Sequence, residues 1–163
     1  MHWRPRNLVS PLRRRSLAVL ILGVGLSATA CLAPAAPPAP TGPLPAPSAG
    51  SFVAVMYAES QIGKPYCYAG TGPSCFDCSG LTMKAWQAGG VSMPHFSGSQ
   101  YAMFPKVPLN RLAPGDLLFP ADPDQHVAMY IGDGLLVHAT KPGDYVRVET
   151  LSVVGITQAV RPT

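Results

Sequence analysis

Charge is scarce in this chain and unevenly placed. Only 8 of its 163 residues are acidic, and none of these falls among the first 50, which carry five arginines at positions 4, 6, 13, 14 and 15. Residues 51–163 hold four Lys, three Arg and all eight acids, so the overall charge of +4 and the pI near 9.0 belong to the leading segment. The basic pI is therefore no sign of a nucleic-acid surface on the remainder, and no nucleic-acid partner is expected. A long apolar run is missing too. The longest, Leu17 to Ala28, is about 12 residues against the roughly 20 a membrane-spanning helix needs. There is no second cysteine pair at zinc-finger spacing to join the lone Cys75-x-x-Cys78, which leaves a zinc site as a minor alternative. Neither a metal nor a cofactor is expected.

What is present begins with a leader. Arg13-Arg14-Arg15, the apolar run and Ala28-Thr29-Ala30-Cys31 follow the basic, apolar and small-residue order of an export signal. Residues 1–30 are expected to be a signal peptide and the protein to be exported, to the cell envelope or beyond it. Arg14-Arg15-Ser16-Leu17 weakly resembles a twin-arginine signal. Ala28 to Cys31 resembles a lipobox with Ala at its first position, which makes Cys31 a candidate lipidation site and membrane anchor. Residues 31–50 carry prolines at 34, 37, 38, 40, 43, 45 and 47 and read as an extended polyproline tether. The folded domain is expected over residues 51–163, long enough for one core.

Within that domain the focal stretch is Phe76-Asp77-Cys78-Ser79-Gly80. Leu81, Ala85 and Ala88 recur at near-helical spacing with Trp86 beside them, until Gly89-Gly90 ends the pattern. Cys78 thus sits in the first turn of a helix, where the dipole and unpaired amides are expected to draw the thiol pKa below its free value of about 8.5. A lone cysteine in such a place is more often a small buried residue than a nucleophile.

The histidines shift that balance. Ser51 is expected to cap a first helix reaching Ile62, and Ser97-Gly98-Ser99-Gln100 has capping-box spacing for a short later one. Strands are expected at 117–119, 126–131, 135–139, 145–150 and 155–161, giving an α+β order of helices first and then an antiparallel sheet of about five strands. A three-residue Gly132-Asp133-Gly134 loop pairs Ile131 with Leu135 and Ala128 with His138, setting His138 on the His126 face one diagonal away. A two-residue Asp-Gly loop would put the two histidines on opposite faces.

Four blocks in order, Gly63-Lys64-Pro65-Tyr66, Phe76 to Leu81, Leu112 to Phe119, and His126 to Gly132 with His138-Ala139, resemble the NlpC-type cysteine peptidases of bacterial cell walls across nearly all of residues 52–140. The resemblance implies a papain-like fold, with the nucleophile at a helix start packed on the sheet that bears the histidines. It implies Cys78 as nucleophile, His126 as base and His138 as the residue orienting it. Tyr66, Asp77 and Ser79 are implied to line the substrate site, Asp77 and Ser79 holding the amine end of a peptide stem. The expected partner is peptidoglycan stem peptide, cut between D-glutamate and the diamino acid. The main alternative is a catalytically silent binding module on the same fold. His95 follows Met93-Pro94 where the family commonly has Arg. If Cys78 stays free, Cys67 and Cys75 are the natural disulfide pair in an oxidising compartment.

Overall fold

The computed structural model describes residue 43 and residues 46–163. The expected signal peptide, Cys31 and most of the Pro/Ala-rich tether lie outside the described residues.

Among the described residues, four α-helices and five strands follow in the order α1 (Ala49–Glu59), α2 (Cys78–Ala88), α3 (Ser97–Met103), a 3-10 turn (Leu109–Arg111), β1 (Leu117–Phe119), β2 (Ala128–Gly132), β3 (Leu135–His138), β4 (Arg147–Thr150), α4 (Leu151–Val154) and β5 (Gln158–Val160). The strands form one antiparallel sheet in the order β4-β3-β2-β1-β5. Side chains alternate across it as period two requires. Leu117, Phe119, Met129 and Val137 meet Ala54, Leu81 and Trp86 of the helices, whereas Leu118, Ala128, Leu136 and Ala159 form a second cluster on the other face.

Helices α1 and α2 lie close because two glycines meet between them. A Cβ on Gly50 would stand 2.1 Å from the carbonyl oxygen of Gly89. The fully buried Trp86 satisfies its one polar atom by donating from Nε1 to the Gly115 carbonyl at 3.1 Å, which ties α2 to the turn before β1. Asp116 in that turn is held by Arg161 at 2.7 and 2.8 Å, so the charge buried beside the core is paired.

Several local expectations are corrected. Ser51 does not cap α1, which begins at Ala49; its buried hydroxyl donates to the Ser48 carbonyl at 2.8 Å. Ser97 to Gln100 is not a capping box. Phe96 is the N-cap of α3, and the buried Gln100 side chain reaches α2 instead, accepting from Thr82 Oγ1 at 2.8 Å and donating to the Ser79 carbonyl at 2.9 Å. His126 precedes β2, α4 fills the gap between the last two expected strands, and the last strand is shorter than expected, Gln158–Val160.

The hairpin between β2 and β3 is the most instructive difference. Its loop has two residues, Asp133 and Gly134, both at positive φ as a tight Asp-Gly turn demands. Gly132 pairs with Leu135, yet Tyr130 pairs with Leu136 and Met129 with Val137. A one-residue bulge at Ile131 absorbs the offset, and the register beyond it is the one expected of a three-residue loop.

Candidate active site

The start of α2 is organised around Asp77, which keeps extended backbone (φ −95°) and caps the helix by accepting from the Gly80 amide at 2.6 Å. The same carboxylate takes His95 Nε2 at 2.8 and 2.9 Å on its two oxygens and the Ser79 hydroxyl at 3.3 Å. Phe76, the residue before Asp77, is fully buried. The loop from Tyr66 onward is pressed onto this turn. The Asp77 amide donates to the Gly70 carbonyl at 2.9 Å, and a Cβ on Gly80 would stand only 2.0 Å from that oxygen. Cys67 and Cys75 are joined in a disulfide with Cα atoms 5.7 Å apart, while Cys78 is free. Cys75 is thereby withdrawn from the zinc alternative, and among the described residues no group of three or more His, Cys, Asp or Glu could hold a metal ion.

Cys78 opens α2 as expected, but its electrostatics differ from expectation. Burial pushes the thiol pKa up and the Asp77 charge adds to this, against backbone hydrogen bonds from Val127, Ser79 and Cys78 itself that pull it down. Desolvation outweighs the helix-start amides, so the resting group is a thiol. The Val127 contact is informative in another way, because it seats the sulfur one residue from His126.

His126 Nε2 lies 3.1 Å from His138 Nδ1, with the rings edge to face at 5.2 Å. Burial, with the neighbouring His138 and Arg147, lowers the His126 pKa from 6.5 to about 4. His138 is 1% exposed and is lowered chiefly by burial, with Glu149 opposing the shift. Its Nε2 stands 3.2 Å from Glu149 Oε2, a charge-pairing separation whose alignment falls short of a hydrogen bond.

Beside the sulfur runs a groove of about 340 Å³ whose walls include Tyr66, Tyr68, Asp77, Cys78, Ser79 and His95. All three residues expected at the substrate site therefore share one concavity with the candidate nucleophile. Burial, then the Cys78 and Asp77 charges, pushes the Tyr66 pKa up and keeps its phenol a hydrogen-bond donor. A larger hollow of about 450 Å³ between α1, α2 and Pro73 contains none of these groups. Sequence reasoning missed the grip of His95 on Asp77 and the place of Glu149 behind His138, since both partners are distant in sequence.

The NlpC/P60 family model matches residues 63–161. The chain belongs to the NlpC/P60 family. Its helices on a five-stranded antiparallel sheet are the papain-like arrangement of that family's solved domains. It is similar to a probable endopeptidase of Mycobacterium tuberculosis, 42% identical over 101 residues that cover 62% of this chain and 26% of the relative. It is 37% identical over 115 residues to the peptidoglycan endopeptidase RipA of the same species, covering 62% and 24%. The chain thus matches about a quarter of the length of these curated relatives. Among solved structures, the P60 domain of a Mycobacterium avium subspecies paratuberculosis antigen superposes with a TM-score of 0.63 at 31% identity, covering 69% of this chain and 93% of that domain. The NlpC/p60 domain of the peptidoglycan hydrolase SagA gives 0.63 at 34% identity, covering 68% and 97%.

Proposed function

We propose that this domain is a peptidoglycan endopeptidase in which Cys78 attacks a stem-peptide amide, His126 is the general base and acid, and His138 orients it. The observation that carries the reading is the seating of the Cys78 sulfur against the Val127 backbone, next to an imidazole whose far nitrogen is bonded to His138. With His126 Nε2 engaged, Nδ1 is the nitrogen left for the thiol proton. Sulfur bonds to the carbonyl carbon as that proton moves to Nδ1. The oxyanion is met by the Cys78 backbone amide at the helix start, and the imidazolium returns the proton to the leaving amine. Water, deprotonated by the same imidazole, then opens the thioester.

Solved forms of RipA mutated at a histidine and at a glutamate alter positions 12 apart, the separation of His126 and His138 here, which supports His138 as the third member. Tyr66, Asp77 and Ser79 are the proposed substrate contacts, and the bond between D-glutamate and the diamino acid is the proposed target. Export fits the disulfide, which belongs to oxidising compartments. The proposed organisation is a signal over residues 1–30, a tether over 31–50 with a lipid anchor at Cys31, and a catalytic domain from 51.

Digestion of purified peptidoglycan followed by mass analysis of the fragments tests this. The expected products carry new termini at the D-glutamyl bond, and Cys78→Ser releases none. Intact glycan strands and stems after incubation with the wild-type chain would instead support a silent binding module. His126→Ala is expected to match the loss at Cys78, with His138→Ala retaining a measurable fraction; the reverse order would interchange base and orienter.

A further inference from the structure

We infer that Glu149 is a positioning residue that acts through two imidazoles, its carboxylate setting the tautomer of His138 and thereby that of His126, so that a bare Nδ1 faces the Cys78 thiol. The inference rests on the reading of Cys78 and His126 given above and adds to it a residue on a different strand.

Strand pairing puts the parts together. Leu136 is opposite Glu149 and His138 opposite Arg147, so Glu149 and His138 project from the same face of the sheet along a diagonal. His138 is closed off from water, and the group facing its Nε2 is Glu149 Oε2 at 3.2 Å. The other oxygen, Oε1, accepts from Arg147 Nε at 3.0 Å, and Arg147 is itself paired with Asp144. The carboxylate is therefore held from behind with one oxygen left for the histidine.

The proton bookkeeping then has one solution. An ionised carboxylate can only accept, so it favours the His138 tautomer with hydrogen on Nε2. A neutral imidazole carries one such hydrogen, and burial keeps His138 neutral, so its Nδ1 is an acceptor. The partner at 3.1 Å, His126 Nε2, must then be the donor. His126 is left with an unprotonated Nδ1, the state a general base requires. Without the carboxylate the opposite chain is equally well bonded. His138 Nδ1–H would donate to His126 Nε2, and His126 would present Nδ1–H to the thiol and accept nothing. Alignment of the Glu149 contact is expected to tighten when substrate is bound, as catalytic hydrogen bonds do.

The test uses the full chain with ¹⁵N-labelled histidine. Long-range ¹H–¹⁵N spectra are expected to show both His126 and His138 as Nε2–H in the wild type, and a mixture of tautomers in Glu149→Gln and Glu149→Ala with the thermal midpoint retained. Turnover is expected to fall on the order of tenfold through kcat rather than KM, with partial recovery in Glu149→Asp. Iodoacetamide alkylation of Cys78 supplies a readout that needs no substrate. In a His138→Gln background, Glu149→Gln should change that rate no further, because the link between carboxylate and base is already cut. Unaltered tautomers in Glu149→Gln, or losses that add across the double variant, would overturn the inference. Failure of the wild type to cleave peptidoglycan would remove the proposed function while leaving the tautomer result to be judged by itself.

Discussion

His126 gives the sharpest handle on the physics of this site, because its depressed pKa makes stability depend on pH in a known direction. The folded protein protonates His126 near pH 4, whereas the unfolded chain does so at the ordinary 6.5. As pH falls, protons bind the unfolded chain first, so the contribution is complete above about 6.5 and is lost progressively down to about 4. At about 1.4 kcal/mol per unit of pKa difference, His126 alone is expected to remove about 2 kcal/mol between pH 7 and pH 5 and about 3 by pH 4. Most carboxylates titrate below this window, so the interval from pH 7 to 5 isolates imidazoles. His138 shifts in the same direction and adds to the slope. Urea unfolding of the wild type and of His126→Gln at pH 7, 6 and 5 separates the two, since glutamine can still donate to His138 without titrating. The wild type should lose about 2 kcal/mol more than the variant. Parallel losses, or a His126 imidazole resonance titrating near 6.5, would refute the claim that burial holds this base neutral.

Other outcomes follow from the same structure. Because Cys78 rests as a thiol beside a neutral imidazole, its alkylation by iodoacetamide should climb steadily with pH, and a fast plateau beginning near pH 5 would reveal a preformed thiolate–imidazolium pair instead. Gly80→Ala drives a methyl to within 2.0 Å of the Gly70 oxygen, a backbone atom that cannot swing away, so roughly 1–3 kcal/mol of stability should be lost with activity falling alongside; an unchanged denaturation midpoint would contradict the tight seating of the loop. Replacing both Cys67 and Cys75 by Ser should lower stability by roughly 2–3 kcal/mol in the chain-entropy view, and mapping of the non-reduced protein should find those two linked with Cys78 open, not Cys75 joined to Cys78.

The parts legible in the sequence were those written in local pattern. The helix from Cys78 to Ala88 shows its apolar spacing and its two-glycine stop, and β1 to β3 show short apolar runs bounded by turn residues. Misreadings came where a polar side chain had two plausible partners. Ser97 and Gln100 have capping-box spacing, but the pull on Gln100 comes from Thr82 and the Ser79 carbonyl across the helix pair, which spacing cannot express. The thiol was misjudged because the amides of a helix start are visible in a sequence, whereas the burial that outweighs them exists only after packing. His95 reaches back 18 positions to Asp77, and Glu149 meets His138 only once β3 and β4 pair. For Glu149 a weak signal existed, a lone acid two residues after Arg147 on a predicted strand.

The bulge at Ile131 carries a consequence for how this hairpin can change over evolutionary time. The histidines respond to the pairing of Tyr130 with Leu136, and not to whether the extra residue sits in the turn or in the strand. Moving it from bulge to loop leaves Met129 opposite Val137. A single further residue there can be taken up in the same way, by the turn or by a second bulge; only a slip of the pairing itself by one residue would carry His138 to the other face and separate it from His126. Length variation in this hairpin is thus tolerated wherever the pairing of Met129 with Val137 is kept.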